Sequence, residues 1–124
     1  MTHDEVFVAV VAFLDQFISR GAAPDILGLR EGLGSDPAFR WRLVAQLPSA
    51  SPSVRESFDA MAAFFDVEFE RGGFREYDSG SPGLFLLTDW MSWIPNRSGD
   101  PALDSTADPA QWRDWLASVE RGAD

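Results

Sequence analysis

The chain contains no cysteine, no lysine and only one histidine among its 124 residues. Without cysteine there is no disulfide framework, no thiolate nucleophile and no cysteine-based zinc site. The expected compartment is therefore the cytoplasm. His3 stands in a terminal stretch where fraying is the rule, so neither a histidine metal cluster nor a histidine acid–base centre is expected, and no cofactor is called for. Long apolar runs are also missing. The opening run from Val6 to Leu14 is nine residues, whereas a bilayer crossing needs about 20. Met1-Thr2-His3-Asp4-Glu5 is acidic where a secretory leader is basic. Gly28, Gly32 and Gly34 are not followed by the Lys-Ser/Thr pair of a phosphate loop, and no nucleophile elbow or dinucleotide fingerprint occurs.

What is present is hydrophobic bulk and negative charge. Ten Phe, five Trp and a 45% hydrophobic content supply a core for one domain spanning residues 1–124, despite a net charge of -10. The charge is unevenly placed. Residues 1–55 carry six acids against five arginines, and residues 56–124 carry fourteen acids against five. Such a field repels nucleic acid and anionic membranes and steers basic partners inward.

The pattern predicts a mainly α fold, a compact single-domain bundle of five to six helices, and leaves room for a short strand pair within 74–94. Thr2 with Glu5 makes a capping box for a first helix running to about Gly21. Pro24-Asp25 opens a second, which Gly32 and Gly34 are expected to end. Ser35-Asp36-Pro37 opens a third that buries Phe39, Leu43, Val44 and Leu47 and closes at Pro48. Ser53 with Glu56 makes a second capping box. The helix it starts bears a stripe of Phe58, Met61, Ala62, Phe65 and Phe69 and stops at Gly72-Gly73. Residues 74–82 read as a loop. The segment 84–94 is apolar on nearly all sides, so period alone leaves helix and strand open, with helix preferred. Residues 95–108 read as a polar connection. Asp108-Pro109 opens a last helix with Trp112, Trp115, Leu116 and Val119 inward.

Three groups of carboxylates invite a chemical reading. Asp89 and Asp114 lie beside tryptophans and suggest a glycosidase-like acid–base pair, although caps or surface charges explain them more simply. Asp100, Asp104 and Asp108 recur every four residues, but the alternating ligands, central glycine and late glutamate of a calcium loop are missing. The third group is the acidic series beginning at Glu56. Within it Asp59, Asp66, Glu68, Glu70, Glu76 and Asp78, with the aromatic anchors Phe74 and Tyr77, form the candidate partner-binding surface. Only Arg71 and Arg75 interrupt the series, and a surface that repels itself is often kept for a basic partner.

The segment Asp108-Pro109-Ala110-Gln111-Trp112-Arg113-Asp114-Trp115-Leu116-Ala117-Ser118-Val119, together with Leu86-Leu87-Thr88-Asp89-Trp90 upstream, resembles small bacterial immunity proteins of polymorphic toxin and contact-dependent growth inhibition systems. The likeness covers about a quarter of the chain, and the stretch from Ile94 to Thr106 and the Phe-rich middle depart from the pattern. The resemblance implies a non-enzymatic cytoplasmic inhibitor of a cognate toxin, commonly a nuclease and so basic. It assigns Trp112, Asp114, Trp115 and Leu116 to the fold and not to toxin contact. The alternative is a helical adaptor that binds another protein through an apolar groove, its acidity serving solubility alone.

Overall fold

The computed structural model describes residues 1–21, 24–71 and 83–123. It is mainly α, with six helices and a short antiparallel strand pair. In order these are α1 (His3–Arg20), α2 (Pro24–Ser35), α3 (Pro37–Val44), α4 (Val54–Arg71), α5 (Gly83–Trp90), β1 (Trp93–Ile94), β2 (Ser105–Thr106) and α6 (Pro109–Ala123), with one 3₁₀ turn at Pro101–Leu103.

Local cap chemistry fixes most helix starts. Thr2 Oγ1 accepts from the Glu5 amide at 3.1 Å while Glu5 accepts from the Thr2 amide at 2.8 Å, which satisfies two of the free donors at the start of α1. Ser53 and Glu56 repeat the exchange at 3.0 and 2.9 Å before α4. Asp36 accepts from the Ala38 amide and Asp108 from the Ala110 amide, each at 3.0 Å and each ahead of a proline that has no amide to satisfy.

The core gathers Val6, Val10, Phe13 and Leu14 of α1, Phe58, Met61, Phe64 and Phe65 of α4 and Trp115 of α6, with Ile26, Leu43, Leu87 and Met91 from the intervening segments. All are essentially inaccessible to water, and each large side chain so buried contributes on the order of 1.5–3 kcal/mol. Trp115 packs edge-on against Phe13, with centroids 6.3 Å apart, and its indole nitrogen donates to the Val54 carbonyl at 3.0 Å, so no donor is buried unpaired. Gln16 joins the first and last helices by donating to Ser118 Oγ at 2.6 Å and to the Asp114 carbonyl at 3.1 Å.

Four sequence expectations change. Gly32 and Gly34 do not end α2, which continues to Ser35. At Gly32 a Cβ would lie 2.6 Å from the Phe39 ring, so the missing side chain lets α3 close onto α2. Helix α3 ends at Val44, before Pro48, and a tighter turn follows in which Gln46 and Leu47 donate to Leu43 and Val44 at 3.0 Å. The strand pair joins Trp93 to Thr106 and Ile94 to Ser105, so only one of its strands falls within 74–94, and the other comes from the segment read as a polar connection. Leu116 faces outward on α6, while Trp115 fills the core and Trp112 and Val119 are partly buried. Helix wins for the apolar segment as far as Trp90. The loop expected over 74–82 lies outside the described residues.

Candidate functional site: the acidic face of α4

Helix α4 separates apolar from acidic residues around its circumference. Phe58, Met61, Phe64 and Phe65 enter the core, while Glu56, Asp59, Asp66 and Glu70 lie on the exposed side. Asp66 and Glu70 are one turn apart, so their carboxylates share one strip of surface. Loss of hydration, followed by the negative charge of Glu70, raises the Asp66 pKa above the ordinary aspartate value. Like charges held this close are the condition that an incoming cation relieves.

The other members of the expected surface have separate fates. Asp59 is exposed, but its Oδ1 accepts from the indole nitrogen of Trp93 at 2.7 Å. Glu68 departs from the expectation of an outward acid, for it is only 6% exposed and sits between two arginines. Arg42 of α3 forks onto both its oxygens, and Arg71 approaches Oε2 at 3.4 Å. The reason is visible in the register: Glu68 stands four and three residues after Phe64 and Phe65, on the buried side. Phe74, Glu76, Tyr77 and Asp78 lie outside the described residues.

The arginines are largely committed within the chain. Arg20 pairs with Asp114, Arg30 with Asp15, Arg40 with Asp4, Arg42 and Arg71 with Glu68, and Arg55 with Asp104. Asp114 engages Arg20 through both oxygens, while Asp89 is exposed on α5.

The loop acids are structural donors' partners. Asp100 accepts from the Ala102 amide at 3.0 Å and starts the 3₁₀ turn. Asp104 accepts from the Asn96 amide at 3.0 Å and the Asn96 side chain at 2.7 Å, and Arg55 approaches at 3.5 Å. These contacts, the Asn96 amide foremost, lower the Asp104 pKa. Among the described residues no group of three or more His, Asp or Glu side chains is placed to hold a metal ion.

Sequence reasoning missed the clip that holds this loop on α4. The Arg55 guanidinium lies 3.9 Å above the Trp93 ring and donates to the Pro101 carbonyl at 2.9 Å. Trp93 also packs against Phe58 and Trp112, at centroid separations of 5.6 and 5.2 Å. Two-residue strands have no period to detect, so nothing in the pattern announced the contact.

No protein-family model matches the chain, and neither a curated protein nor a solved structure matches it. Among the described residues no helix is long and apolar enough to cross a membrane.

Proposed function

We propose that this chain is an immunity-type inhibitor that acts in the cytoplasm by binding a basic toxin domain, commonly of nuclease type, without catalysing a reaction. The observation that carries the reading is the charge balance: residues 56–124 carry fourteen acids against five arginines, and Glu56, Asp59, Asp66 and Glu70 all lie on the exposed side of α4. A basic partner offsets their repulsion on arrival, so attraction speeds encounter and apolar contacts slow release. The resemblance of the α5 and α6 segments to immunity proteins points the same way.

The test is co-expression rescue with the C-terminal domain of a large secreted protein encoded beside this chain. Growth restored together with a stable complex supports the proposal, and persistent toxicity overturns it. Given such a pair, Asp66→Lys combined with Glu70→Lys slows association by about tenfold or more at low salt, and the difference shrinks as salt rises. Association rates insensitive to both changes favour the adaptor reading, in which binding runs through an apolar groove.

A further inference from the structure

The strand pair clipped onto α4 has an inner and an outer face, and its register decides which residues lie on each. Trp93 pairs with Thr106 and Ile94 with Ser105, and facing residues of an antiparallel pair share a side that alternates along the strand. Thr106 is buried, and Trp93 packs on Phe58 and Trp112, so that pair is the inner one. Ile94 and Ser105 therefore point outward. Asp104 has an extended backbone and turns its carboxylate inward to Asn96 and Arg55. Leu103, one residue before it, joins Ile94 on the outer side. Ile94 is 53% exposed and Leu103 64%.

Exposed aliphatic residues scattered singly are ordinary, but here two share one face of a braced loop. The Asn96 amide and side chain both donate to Asp104, Arg55 donates to the Pro101 carbonyl, and the Trp93 indole donates to Asp59. Side chains presented from a loop held in this way lose little freedom when a partner covers them.

The charge around the face selects its occupant. Glu56 and Asp59 of α4 and Asp100 of the loop are exposed, as is one arginine, Arg97. The Arg55 guanidinium is engaged by Asp104 and the Trp93 ring. A second copy brings its own net charge of -10 against these acids, and nucleic acid or an anionic membrane brings phosphate. A basic protein surface instead meets opposite charge at the rim while it covers the two aliphatic side chains at the centre.

We propose that the outer face of the strand pair and its 3₁₀ turn docks a basic protein partner, with Ile94 and Leu103 as the apolar anchors. The inference rests on the basic-partner reading above and adds to it the side chains that slow release.

The experiment measures association and dissociation rates of the full chain with the C-terminal domain of the large secreted protein encoded beside it, comparing the parent with Ile94→Thr and Leu103→Ser, singly and combined. Ile94→Thr keeps the β-branch that suits a strand, so β1 should persist. The combined variant should dissociate faster by about tenfold or more, as loss of an anchor implies. Its association rate should stay within about twofold of the parent's. The change in dissociation should be the same at low and high salt, since apolar contacts are not screened. Circular dichroism and the unfolding midpoint should match the parent's. A complex whose dissociation ignores all the variants overturns the inference and leaves the proposed inhibition standing. Faster dissociation that comes only with a lowered unfolding midpoint also overturns it, because the effect then lies in loop stability. No complex with the parent chain overturns the basic-partner reading, and this inference with it.

Discussion

The indole nitrogen of Trp93 donates to Asp59 Oδ1 at 2.7 Å, which fastens the strand after α5 to the exposed side of α4. One acid on the exposed side of α4 thus has a structural duty. Asp59→Ala is expected to cost about 1–2 kcal/mol, the range for a hydrogen bond to a charged acceptor at an accessible site. Urea unfolding measures the loss. A red shift in tryptophan emission should accompany it, because Trp93 would gain contact with water. An unchanged spectrum would show that Arg55, Phe58 and Trp112 hold the ring unaided.

Gly28 and Gly32 lie one turn apart in α2 and make opposite predictions. Nothing lies within 4 Å of a Cβ built at Gly28, so Gly28→Ala should stabilise the chain by up to about 1 kcal/mol through helix propensity. At Gly32 three atoms of the Phe39 ring lie 2.6–2.8 Å from the new carbon. The whole ring must move, together with the Arg42 stack upon it, and Gly32→Ala should destabilise by about 1–3 kcal/mol. Thermal unfolding of the pair reads both signs.

Glu68 and Arg42 join α4 to α3 in a largely buried ion pair. Removing the acid alone strands a guanidinium that is 21% exposed, and Glu68→Ala should cost about 2–4 kcal/mol. Glu68→Met with Arg42→Met should recover much of that loss, because an apolar pair leaves no uncompensated charge. A double variant no more stable than Glu68→Ala would place the effect in packing.

Asp66 yields a prediction in pH. Its folded-state pKa is raised by lost hydration and by Glu70, so the folded protein takes up the proton more readily than the unfolded chain. That favourable linkage is present in acid and is lost as pH rises through the raised value, leaving a small penalty at neutral pH. Asp66→Asn should therefore raise the unfolding midpoint slightly at neutral pH, with the gain fading below the ordinary aspartate value of 3.8. A gain that persists in acid would show that carboxylate charge is not its source.

The helix starts were legible because caps are local. Thr2 with Glu5, Asp36 with Pro37, Ser53 with Glu56 and Asp108 with Pro109 each announce a boundary within four residues. The α4 stripe was legible from its period, and with it the exposure of Asp59, Asp66 and Glu70. Glu68 was misplaced because its burial depends on Arg42, which only packing brings alongside. Its spacing from Phe64 and Phe65 held the hint, overridden by the habit of reading an acid as exposed. Trp41 was left out of the inward set of the third helix, and the structure leaves it exposed, since Phe39 and Leu43 fill the inward positions on either side. The Asn96–Asp104 contacts and the Arg55 clip link residues with no shared period and were beyond any pattern.

The Gln16 bridge and the Phe13–Trp115 contact tie α1 to α6, elements separated by most of the chain. During synthesis Phe13 can meet Phe65 of α4 well before Trp115 exists, so the core around it closes in stages and is completed by α6.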